Sequence, residues 1–66
     1  GESARETLLE AFSLAQDRPR IRIAIAEVFA DRDWAVKGYR PTIETNLPEG
    51  FSITAKGHIR RKGSPA

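Results

Sequence analysis

Seventeen side chains are all that this chain can commit to a core, because nine of its 26 hydrophobic residues are alanines. In a chain of 66 residues that supports one small domain. A domain near this size buries only about 60% of the surface its unfolded chain exposes, and its core seldom supplies more than a few kcal/mol. No cysteine is present, which removes disulfides, thiolate zinc sites and cysteine nucleophiles, and a single histidine cannot build a multi-histidine metal site. Partner-dependent stability, most simply a homodimer, is the reinforcement that remains. No apolar run approaches the ~18 residues of a membrane span, so no membrane contact is expected. Opening on Gly1 rather than methionine, the chain is expected to be either an excised domain or a trimmed chain. An intracellular location, cytoplasmic or with the nucleoid or nucleus, is the expectation.

Periodicity predicts an α+β domain: two N-terminal helices packed on a C-terminal antiparallel β-hairpin or three-stranded sheet. Ser3 and Glu6 have the spacing of a capping box, which starts a helix at residue 3. Leu8, Leu9, Ala11, Phe12 and Ala15 then fall on one helical face, and the approach to Pro19 ends the helix near residue 16. Residues 20–32 fit two templates. Ile21, Ile23 and Ile25 alternate as in a half-buried strand, whereas Ile21, Ala24, Ile25, Val28 and Phe29 follow the helical spacing i, i+3, i+4, i+7, i+8. The helical match is longer, and Asp17 to Pro19 offers a cap followed by a first-turn proline. Helix is therefore preferred, with strand as the alternative.

Beyond Trp34 the pattern shifts to period two. Tyr39, Pro41, Ile43 and Thr45 share one side of a run, Leu47-Pro48-Glu49-Gly50 supplies turn residues, and Phe51, Ile53, Ala55, Gly57 and Ile59 share one side of the next. These predict a hairpin closed at residues 47–50, with the proline-bearing strand at an edge or starting after Pro41. Residues 34–40 offer a short third strand. The single domain runs over residues 1–61, and Lys62 to Ala66 form a flexible basic tail with nothing to bury. Ile25 to Phe29 followed by Thr42 to Glu44 faintly echoes a helix-turn-helix, but the interval between them is too long for its usual turn.

Charge is divided between the halves. Residues 1–33 carry five basic against seven acidic side chains, and residues 34–66 carry six against two. Such an asymmetry points to an anionic partner. If Phe51, Ile53 and Ile59 face inward, then Lys56, His58 and Arg60 face outward, with Arg61 and Lys62 extending the row and Lys37 and Arg40 widening it. One strand face repeats at about 6.6–6.8 Å, close to the phosphate spacing along a nucleic-acid strand, and β-ribbons do bind DNA in its grooves. His58 strengthens such a contact when protonated. The expected function is therefore non-enzymatic nucleic-acid binding, DNA before RNA, through a basic hairpin edge. Lysine and arginine also guard edge strands against aggregation.

The alternative is a protein-interaction or dimerisation module that docks a partner through the Leu8, Leu9, Phe12 stripe of the first helix. Trp34 and Tyr39 have faces on which bases stack, but with so few large apolar residues the core has the stronger claim on Trp34. The serines sit in no strained elbow, the glycines form no phosphate loop, and Asp31 and Asp33 flank Arg32 where turn aspartates cap backbone groups. Neither a catalytic centre, a metal site, a cofactor nor a small-molecule substrate is expected.

Overall fold

A computed structural model of the chain describes residues 2–63. Three helices precede a two-stranded antiparallel hairpin: α1 Glu2–Leu14, α2 Pro19–Arg32, a 3-10 turn Lys37–Tyr39 running into α3 Arg40–Asn46, then β1 Phe51–Ile53 and β2 Ile59–Arg61. This is an α+β domain. Its core joins Leu9 and Phe12 from α1 with Ile25, Ala26 and Phe29 from α2, Val36, Ile43 from α3, and Phe51 and Ile59 from the hairpin.

Helix α1 forms on the expected face but starts earlier than the capping box implies. Ser3 lies inside its first turn, where its carbonyl accepts the Thr7 hydroxyl at 2.9 Å. Glu2 leads the helix as an acidic first-turn residue and pairs with Arg5 at 3.4 Å. The helix ends at Leu14 rather than 16, and the chain turns through Ala15 to Arg18.

Residues 19–32 are helical. Arg18, not Asp17, occupies the N-cap and makes no side-chain cap bond, and Pro19 fills the first turn, where its missing N–H costs nothing. The buried face is Ile25, Ala26 and Phe29, so it is rotated from the expected one: Ile21 and Ala24 are exposed and Arg22 takes the inward edge. The reason is local. The Arg22 guanidinium reaches back to donate to the carbonyls of Ala15, at 2.9 Å, and Gln16. It thereby pairs the Gln16 carbonyl and adds a second donor to the Ala15 carbonyl, which already accepts the Arg18 N–H at 3.0 Å, in the turn just beyond α1.

The largest correction is at residues 39–46, which are helical rather than a strand. Tyr39, Ile43 and Leu47 are four apart, and it is this spacing that meets the core, while Pro41 and Thr45 are exposed. Pro41 sits in the first turn of α3, a favourable position in a helix and a poor one in a sheet. Thr45 donates to the Pro41 carbonyl at 2.8 Å and Asn46 to that of Thr42 at 3.0 Å, and Arg40 pairs with Glu44 one turn on. Residues 47–50 therefore link α3 to β1 and do not close a hairpin.

The hairpin closes one segment later. Phe51 pairs with Arg61, Ser52 with Arg60 and Ile53 with Ile59. What reads as one run over 51–59 is folded in half by a tight loop at Ala55-Lys56-Gly57. There the Gly57 N–H donates to the Thr54 carbonyl at 2.9 Å and the Thr54 N–H to that of His58 at 2.8 Å. Gly57 holds φ +84°, the left-handed position that completes a three-residue hairpin loop. The expected third strand is reduced to one bridge between Ala35 and His58, with the Val36 N–H on the Gly57 carbonyl at 2.9 Å. The Lys62 N–H donates to the Gly50 carbonyl at 2.9 Å, so pairing reaches into the segment expected as a tail. Residues 64–66 of that segment lie outside the described residues.

Three stability measurements check this packing. Phe12→Ala should cost about 3–5 kcal/mol in urea unfolding, enough to unfold much of a domain this small. Leu14→Ala, at a residue 84% exposed, should cost under about 0.5 kcal/mol. Gly57→Ala should destabilise by about 1–2 kcal/mol through backbone strain, since its Cβ would meet only Val36 Cγ2 at an ordinary 3.6 Å.

Candidate nucleic-acid interface

Seven basic side chains were expected to line one edge: Lys37, Arg40, Lys56, His58, Arg60, Arg61 and Lys62. The hairpin gathers five of them, and the stretch Phe51–Gly63 contains no acidic residue. They do not form a single row. Lys56 stands at the tip of the hairpin loop, so only His58 and Arg60 keep the two-residue repeat of one strand face. Arg61 lies on the opposite face and reaches α2.

Most of these cations already have anionic partners. Arg60 Nη1 lies 2.6 Å from Asp33 Oδ1, and His58 Nδ1 approaches the same oxygen at 3.0 Å, without the alignment of a hydrogen bond. Arg61 Nη1 donates to Asp31 Oδ1 at 2.9 Å. Lys37 Nζ is 3.4 Å from Glu2 Oε1. Arg40 pairs with Glu44, and its Nη1 also donates to the carbonyls of Thr54 at 2.9 Å and Ala55 at 3.1 Å. Among the described residues no ion pair involves Lys56 or Lys62. Arg40 thus ties α3 to the hairpin loop, and the Asp31 and Asp33 pairs tie β2 to the end of α2.

That helix end is built by a left-handed residue. Asp33 takes φ 54° and ψ 38°, its N–H returns to the Phe29 carbonyl, and the Trp34 N–H bonds the same carbonyl at 3.2 Å. This closure leaves Trp34 edge-on to Phe29, with centroids 5.4 Å apart, and Arg32 sits over the indole ring at 5.6 Å. Trp34 therefore packs against the core as expected. Tyr39 does the same, and burial raises its hydroxyl pKa above the ordinary value, with Glu10 and Glu6 adding to the effect.

Asp31 and Asp33 are the site residues that sequence reasoning missed. Asp31 is the last acidic residue of α2 and Asp33 follows the helix, and both meet hairpin cations rather than capping backbone groups. Asp31 lies 30 positions from Arg61, beyond any local pattern. The docking stripe expected on α1 is also overturned. Leu9 and Phe12 are fully buried, and Leu8 is half-buried against the same core, because α1 spends that face on α2 and α3. The exposed apolar surface lies instead at the α1–α2 junction, where Ala11, Leu14, Ala15, Arg18 and Ile21 line a shallow cleft. Among the described residues no three His, Asp or Glu side chains group to hold a metal ion, and no helix is long and apolar enough to cross a membrane.

Neither a protein-family model, nor a curated protein, nor a solved structure matches this chain.

The Arg60 guanidinium beside Asp33 holds its carboxyl below the usual carboxylate range, with His58 adding to the effect. A carboxyl lowered on folding contributes stability that is present above its unfolded value near ~3.9 and lost as pH falls through the folded one. Thermal unfolding followed from pH 7 into strong acid should therefore show a loss of stability below about pH 4. Asp33→Asn should lack the share due to this carboxyl.

Proposed function

We propose that this domain is a small, non-enzymatic nucleic-acid-binding module, with DNA its first candidate ligand, that contacts phosphates through the cationic hairpin. The observation that carries this reading is the run Phe51–Gly63, which holds four lysine and arginine residues and no acid. Lys56 at its tip and Lys62 at its end are outside every ion pair among the described residues. Arg60 and Arg61 keep side-chain exposures of 43% and 42% even when paired. Exposed ion pairs of this kind are worth only about 0–1 kcal/mol, so phosphates can compete for both arginines. Arg40 and Lys37 support from the flank. Such a module would act inside the cell.

A second reading, a protein-binding or homodimerising module, draws on the α1–α2 cleft, where Leu14 is 84% exposed. It moves the docking surface from the Leu8, Leu9, Phe12 stripe to Leu14 and Ile21. The two readings respond oppositely to salt, because apolar docking persists where phosphate contacts are screened.

Fluorescence anisotropy with a mixed-sequence duplex should show affinity falling log-linearly with salt, at a slope of roughly 0.9 per phosphate contact. A Lys56→Ala, Lys62→Ala variant should bind more weakly, with a slope shallower by up to about 2. Absence of binding at about 50 mM salt and 100 μM protein, against typical non-specific affinities of this order or tighter, rejects the reading. A salt-insensitive dimer in sedimentation, lost in Leu14→Ala, would favour the second one.

A further inference from the structure

Asp33 is poorly suited to its own backbone position. A helix C-terminus disfavours negative charge, and glycine, then asparagine, are the usual occupants of the left-handed residue that closes a helix. Its carboxylate is accounted for by the hairpin, from which Arg60 and His58 converge on one oxygen, at 2.6 and 3.0 Å. His58 Nδ1 is buried and has no aligned hydrogen-bond partner. The Asp33 side chain is 63% exposed against 23% for His58, so the carboxylate is the more solvent-accessible of the two. Two nitrogens close on one oxygen, neither aligned as a hydrogen bond to it, beside an exposed carboxylate have the form of an anion seat with an anion loosely in it.

We propose that Arg60 and His58 form a phosphate seat which Asp33 occupies in the free protein and surrenders to a backbone phosphodiester of the bound nucleic acid. This rests on the nucleic-acid reading above and adds a named subsite to it. Arg60 is the main ligand of the phosphate, because its charge is permanent and its planar donors suit phosphate oxygens. His58 supplies a second donor from the same strand face. Asp33 keeps the seat filled without nucleic acid, and the displaced carboxylate repels the incoming phosphate. The exchange changes partners only, and no covalent bond forms or breaks.

The test compares duplex affinity at about 100 mM salt, where distant charges are largely screened, for the parent chain, Asp33→Asn, Asp33→Gly and Glu10→Gln. Glu10→Gln makes the same change in net charge on an exposed residue of α1. Asparagine and glycine both accept the left-handed backbone, so either variant keeps the helix end, and far-UV circular dichroism verifies folding. Both Asp33 variants should bind roughly threefold to fivefold tighter, the size expected when an exposed ion pair stops competing. Glu10→Gln should gain under about twofold, and adding Arg60→Ala to Asp33→Asn should abolish the gain. Equal gains from Asp33→Asn and Glu10→Gln would overturn the seat and leave the nucleic-acid reading standing. No binding by any chain removes both. Failure of both Asp33 variants to fold also overturns the proposal, because it would make Asp33 a structural tie rather than a displaceable ligand.

Discussion

Helix α2 packs against α1 on one side and β2 on the other, and its Ile25, Ala26 and Phe29 stand in the middle of a core that has no residue to spare. In a chain this short the apolar contribution to folding only slightly exceeds the conformational entropy it must offset. Each element is therefore held by whatever it shares with α2. The helix begins where Arg22 completes the end of α1, and it ends where Asp33 closes the backbone and Trp34 folds back on Phe29. Both ends of one helix thus set the path of the chain before and after it. The bridge from Ala35 to His58 then brings the segment after α2 alongside the hairpin.

Charge follows the same geometry. The excess of acid in the first half and of base in the second is partly consumed between the halves, with Asp31 and Asp33 meeting Arg61, Arg60 and His58 across the α2–β2 contact. A charge split of this kind is consistent with an external anionic partner and equally with an internal one. Here the internal pairs are exposed and individually weak. They orient the hairpin on the helix while leaving its arginines open to exchange.

The legible parts of the fold were those with one dominant period. α1 and α2 repeat apolar residues at helical spacing over three turns, so their existence could be read, although the buried face of α2 was turned by the demands of Arg22. Residues 39–47 carry both periods at once. Tyr39 and Ile43 satisfy either, and Pro41, unfavourable in a strand, is welcome in the first turn of a helix. Gly57 fitted an inward position of a continuous strand, yet its value is the positive φ that folds the strand back. The basic residues of the site were visible in the sequence. Their partners were not, because ion pairing between segments some 30 positions apart leaves no trace in local spacing.

The left-handed backbone at position 33 restricts what can stand there without strain to a short set, chiefly glycine, asparagine and aspartate. Those residues differ in charge and scarcely at all in what they ask of the fold. The end of α2 is thereby a place where inheritance can alter the electrostatics of the hairpin in a single step while the core goes untouched.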